Sequence, residues 1–147
     1  MKKYISVVII LLLSLVLFSC SEKEKPIENE QIVNPIDLSF SLIDGDDDLA
    51  IENFEPINDD AFIAEEGSTV LEATMLYCMS HDISVSLDSN QTYITEIGGL
   101  TQGDYSDKTG WVFSVNGEIG NLSANEKILQ SGDKICWQFV DFSSFSW

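Results

Sequence analysis

The sequence contains no arginine and only seven lysines against 25 aspartates and glutamates, a formal charge of −18 over 147 residues. Such a surface repels phosphate backbones and anionic lipid headgroups, which excludes nucleic acid as a partner. Histidine occurs once, at His81, where a helix is expected to end, and its plain reading is an exposed cap. Cysteine occurs three times, and nowhere with the His/Cys spacing that holds a metal. No serine or cysteine stands in a nucleophile motif, and the carboxylates scatter as a solvated surface rather than pairing into an acid and a base. These absences predict a protein that is not an enzyme. The length itself excludes a two-domain enzyme of ordinary size. Apolar residues are unevenly spread, with 14 among the first 19, and the other 128 residues are still about 40% apolar, enough for one small core.

The N-terminus carries the strongest signal. Met1-Lys2-Lys3 is a short basic start, and Ile5 to Phe18 is a nearly unbroken apolar run. Fourteen residues are short for a bilayer span, which needs about 20, and fit a secretory h-region. The run closes on Leu17-Phe18-Ser19-Cys20, which resembles the bacterial lipoprotein signal. That resemblance implies cleavage after residue 19, lipidation of Cys20, and an extracytoplasmic protein anchored to the bacterial membrane through lipid. The plainer alternative is an ordinary cleaved signal, or an uncleaved anchor that happens to end in cysteine. Residues 20–35 then comprise the lipidated cysteine and a polar, charged, disordered tether. Its 14 residues from Ser21 to Asn34 reach at most roughly 46 Å. Removing residues 1–19 takes two lysines with it and leaves a charge of −20.

Residues 36–147 read as one α+β domain. Asp37 to Ile43 alternates with period two, a half-buried strand, and Asp44-Gly45-Asp46-Asp47-Asp48 breaks it. Leu49 to Ile57 and Ala61 to Ala64 read as short strands or extended loop. Thr69 with Glu72 three residues on forms a capping box, and Val70, Leu71, Thr74, Met75 and Cys78 share one face of the helix that follows. That helix is expected to end near Ser80 or His81. Ile83–Leu87, Tyr93–Ile97, Trp111–Val115 and Lys134–Phe142 read as strands, with turns at Gly98-Gly99, Asn116-Gly117 and Ser131-Gly132-Asp133. One helix packed on a small curved mixed sheet of four or five strands is a β-grasp-like layout.

Three motifs stand in order: Glu66 to Ala73 opening the helix, Gly110 to Gly117 making a strand and its turn, and Ser131 to Trp137 starting the last strand. Together they resemble the transcobalamin-like C-terminal domain, a β-grasp-type module of bacterial surface proteins and vertebrate cobalamin carriers. The resemblance covers roughly residues 36 to 142. In the carriers this domain covers one face of cobalamin while a helical barrel holds the other. A chain of 147 residues is too short for that barrel, so the resemblance implies half of a corrinoid site, with cobalamin or a related corrinoid as the ligand it suggests.

Trp111, Phe113, Trp137 and Phe139 alternate on two strands that can be neighbours. Their bland reading is core; their functional reading leaves an indole exposed as a platform for a flat ligand. Trp111 and Trp137, with Asn116 in the hairpin turn, are the candidate ligand-binding residues, although Asn116 has a ready structural role where φ is positive. Phe142, Phe145 and Trp147 crowd the C-terminal end and fold back on the sheet or meet a partner. Asp44, Asp46, Asp48 and Glu55 fall at positions 1, 3, 5 and 12 of a calcium loop, but Leu49 takes the place of its obligatory glycine, which argues against a metal site. Cys78 and Cys136 are expected to remain separate thiols, because Cys136 has the opposite parity to Ile135 and Trp137. Two functions follow. The first is lipid-anchored binding of a flat ligand such as a corrinoid, without catalysis. The second is a surface module that contacts a protein or the cell wall through a strand edge.

Overall fold

The computed structural model describes residues 32–143 apart from 47, 48, 50 and 53. The proposed signal, Cys20, the tether up to residue 31, Asp48, Phe145 and Trp147 lie outside the described residues.

Among the described residues, seven strands and one helix follow one another: β1 (Pro35–Asp44), β2 (Ile57–Glu65), α1 (Val70–Ser80), β3 (Val85–Leu87), β4 (Ile94–Ile97), β5 (Leu100–Thr101), β6 (Thr109–Val115) and β7 (Lys134–Asp141). The main sheet has the order β2-β1-β7-β6. Its central pair, β1 and β7, runs parallel from Ser39↔Lys134 to Asp44↔Phe139, and both flanking pairs are antiparallel. This is an α+β fold with a four-stranded mixed sheet, as the sequence implied. Three short strands, β3, β4 and β5, form a second, antiparallel sheet.

Alternation decides which sheet face meets α1. Ile36, Leu38, Phe40 and Leu42 of β1 are buried, as are Ile135, Trp137 and Phe139 of β7. The Phe40 ring stacks on Tyr77 of α1 at 4.1 Å, and the Trp137 indole Nε1 donates to Thr74 Oγ1 on the same helix at 2.9 Å. Thr74 donates its own hydroxyl proton to the Val70 carbonyl at 2.7 Å, so both buried polar groups are satisfied. The expected helix face holds for Val70, Leu71, Thr74 and Cys78, while Tyr77 and Ala73 are buried beside them.

The helix starts as its capping box requires. Thr69 N–H donates to Glu72 Oε2 at 2.8 Å, and the Glu72 N–H returns a bond to Thr69 Oγ1 at 3.3 Å. It ends at Ser80, with His81 as C-cap. The Asn116-Gly117 turn also forms, with φ of 56° and 80°, the left-handed pair of a type I′ turn. It closes a single bridge, Val115 to Glu118, rather than a full hairpin. β6 pairs along its whole length with β7 instead.

Candidate functional site

The four alternating aromatics do become neighbours on β6 and β7. Trp111 packs edge-on against Phe139 with centroids 5.1 Å apart, and Phe113 lies 5.3 Å from Trp137. They face inward. Trp111 and Trp137 are each 2% exposed, so neither indole presents a face to a ligand. The Trp137 donor is spent on Thr74. Trp111 donates Nε1–H to the Leu100 carbonyl at 2.9 Å, which ties the main sheet to β5. Asn116 is exposed but occupied: its Nδ2 donates to Asp133 at 2.8 Å and its Oδ1 accepts from the Lys134 N–H at 3.0 Å. Its role is to lock the turn onto the start of β7.

Three clefts stand out on the described surface. The smallest, about 130 Å³, runs along Phe113, Val115 and the 118–122 loop, with Lys127 at its rim. A second, of about 330 Å³, lies on the sheet face away from α1, between Ser41, Ser114, Cys136 and Gln138. Lys134 closes its edge by an ion pair to Asp59 at 3.1 Å. This cleft is floored by short polar side chains and holds no aromatic ring.

The third and largest of these, about 440 Å³, is lined by Ile51, Glu52, Phe54, Gly98, Gly99, Leu100, Asp104 and Tyr105. It joins two aromatic rings to a floor of bare backbone, the combination that suits a flat ligand. Each wall has a local cause. The floor is the β4–β5 turn, where Gly98 and Gly99 take φ of 61° and 84° and a side chain on either would be strained. Glu96 holds that turn: its carboxylate accepts from the Gly99 N–H, from the Ser84 hydroxyl at 2.7 Å and from the Ser86 hydroxyl at 2.9 Å. Burial works to raise the Glu96 carboxyl, but those hydrogen bonds prevail and hold it below the usual glutamate range. Beneath the floor, Trp111 fixes Leu100.

The wall carrying Tyr105 is the 102–108 loop, cross-bonded throughout. Thr101 N–H donates to Asp104 Oδ2 at 2.8 Å, Gly103 N–H to the Thr109 carbonyl at 3.0 Å, and the Thr109 hydroxyl to the carbonyls of Asp104 and Ser106. The opposite wall holds Ile51 and Phe54, both half-buried and packed on the core. Tyr105 and Phe54 carry no periodic signal, so sequence reasoning passed them over; as lone aromatics beside Gly-Asp and Asn, they could be noticed only by asking why a loop spends an aromatic.

Other sequence candidates resolve as structure. Cys78 and Cys136 are free thiols on opposite faces of the main sheet, as their parity required. Burial pushes the Cys78 thiol up to about 12, and burial with the nearby Asp59 raises Cys136, so neither is an activated nucleophile. His81 stacks on Tyr77 at 4.1 Å and lies 3.6 Å from Asp60. In the acidic loop, Asp44 accepts from the Asp46 N–H at 3.1 Å, and the described residues contain no group of three side chains able to hold a metal ion. Among the described residues no helix is long and apolar enough to cross a membrane.

A family model described as a domain of unknown function (DUF4430) matches residues 67–141, just over half of the chain. No curated protein matches it. Among solved structures it is similar to the crystal structure of haptocorrin in complex with Cbi, with a TM-score of 0.58 at 20% identity. That match covers 78% of this chain and 27% of the other, so this chain spans about a quarter of the haptocorrin length. At that identity the likeness is one of fold, and the fold is the transcobalamin-like one that the sequence motifs suggested. A protein of Ruminococcus gnavus ATCC 29149, provisionally named for metal binding, aligns at a TM-score of 0.47 and 16% identity over 72% of this chain and 97% of its own.

Proposed function

The chain belongs to the DUF4430 family, and from that membership and its transcobalamin-like fold we propose that it binds a flat ligand of the corrinoid class in the Phe54–Tyr105 cleft, without acting on it chemically. The observation that carries this reading is the cleft itself: two aromatic rings over a glycine floor, held open by bonds that do not depend on a ligand. The haptocorrin bound to Cbi supports the ligand class by fold likeness. An open cleft of this kind contacts at most one face of such a molecule, and the other face is left to solvent or to a second protein. Attachment to the membrane through lipid on Cys20, outside the cytoplasm, belongs to the same proposal, and it rests on the N-terminal sequence pattern.

The alternative, docking of a protein along a strand edge, is less well served. The outer edge of β2 begins with the polar run Asn58, Asp59 and Asp60 and is kinked by a bulge opposite Phe40–Leu42, with Asp59 at φ 47°. Charged residues and bulges are the devices that prevent edge pairing. The other edge, β6, is covered at Thr109 by the 102–108 loop, at Trp111 by the Tyr93 hydroxyl, and at Val115 by its own turn.

The test is calorimetric titration of cobinamide into the protein and into Tyr105→Ala. Saturable heat that the variant reduces at least tenfold in affinity is expected. No heat at high micromolar protein removes the corrinoid reading and leaves a protein or cell-wall contact as the better account. Trp111→Ala is not a useful control, because it empties the core as well as the cleft floor.

A further inference from the structure

Among the described residues six non-glycine residues have positive φ: Asn34, Asp59, Asp82, Gln91, Tyr105 and Asn116. Four of these are Asn or Asp, whose short polar side chains tolerate that region. Tyr105 is the one aromatic, at φ 70°, and it follows Gly103 and Asp104 in a loop that could have placed glycine there. Burial does not explain it, since Tyr105 is 54% exposed. Among the described residues its ring has no aromatic partner, and its hydroxyl makes no hydrogen bond that would hold it. A bulky residue in a strained conformation, exposed on the wall of the largest of the three clefts, contributes little to folding and costs something to keep.

We infer that Tyr105 is held strained as a ready-made stacking platform, and that the cleft it lines selects flat ligands lacking anionic groups. The cross-bonded loop fixes the backbone that carries the ring, which lowers the ordering cost at binding. Selectivity comes from the rim. Among the described residues its only charged groups are Glu52 and Asp104, both acidic, and none of Lys108, Lys127 and Lys134 is in the lining. A carboxylate or sulfonate entering here meets like charge on both sides. A neutral or cationic ring system rimmed by amide N–H donors meets acceptors instead. This inference rests on the cleft reading above, but not on the corrinoid itself.

The test uses two planar dyes and one substitution in the full chain. Nile red, which is neutral, and anilinonaphthalene sulfonate, which is anionic, are titrated by fluorescence into the wild type and Tyr105→Asn, and both proteins are melted. The expected results are saturable Nile red binding at least tenfold tighter than that of the sulfonate, loss of that binding in Tyr105→Asn, and a Tm for the variant equal to or a few degrees above wild type. A Tm several degrees lower would make Tyr105 a packing residue and overturn the inference. So would Nile red binding that the variant keeps, absence of Nile red binding to the wild type, or equal binding of the sulfonate. Cobinamide failing to bind while Nile red behaves as stated would remove the corrinoid reading alone.

Discussion

Trp111 and Trp137 illustrate what a single residue can and cannot disclose. Their alternation with Phe113 and Phe139 was legible, and so was their membership of one face. Which face is covered was not, because the covering helix is more than 30 residues away in sequence. An indole suits either role, since it brings area and one donor to be satisfied. The structure satisfies both donors internally, with Leu100 and with Thr74. Trp137→Phe is therefore expected to destabilise the protein by about 1–3 kcal/mol, through a lost buried hydrogen bond and a small void. Chemical denaturation checks it, and a change within about 0.5 kcal/mol would mean that Thr74 finds another partner. Tyr105 and Phe54 are the opposite case, residues of the candidate site that stand in no pattern and emerge only when the loops are folded.

Elements were legible where local chemistry dictates them. The Thr69–Glu72 box, the strand alternation from Asp37 to Ile43 and the Asn116-Gly117 turn all depend on residues within a few positions of one another. Thr69→Ala is expected to cost about 1 kcal/mol, seen as an equal loss in a denaturant titration with unchanged slope. β2 was harder to read because it is an acidic edge strand that fully buries only Ala64. β4 and β5 depend on Glu96, whose depressed carboxyl makes them acid-sensitive. A group with a lowered folded pKa stabilises fully above its unfolded value, near 4.5, and that stability is lost as pH falls through the folded value. The Tm of the wild type is expected to fall more steeply below pH 4.5 than that of Glu96→Gln. Parallel curves would place the acid sensitivity elsewhere, for example at Asp88, whose carboxylate is also held low by the N–H groups of Thr92 and Tyr93.

For the whole molecule, composition and periodicity disclosed the α+β class, but not the strand order. The parallel pairing of β1 with β7 joins Ser39 to Lys134, and nothing local specifies a partner so distant. It takes the elements folded between them and the shared burial of Phe40 and Ile135 to set it. The cleft is a consequence of that same closure: β6 brings Trp111 under Leu100, and the second sheet folds over to leave the glycine turn facing Phe54. The site is thus a product of topology, and the sequence signals nearest to it, Trp111 and the Gly98-Gly99 turn, form its support and its floor.

Amide chemical-shift mapping of the isotope-labelled protein during titration with cobinamide tests this account most directly, because it reports where a ligand sits as well as whether it binds. Saturable shifts are expected at Gly98, Gly99, Leu100 and the 102–108 loop, with the opposite sheet face around Ser41, Cys136 and Gln138 unmoved. Shifts confined to that sheet face, or none at any ligand concentration, would contradict it.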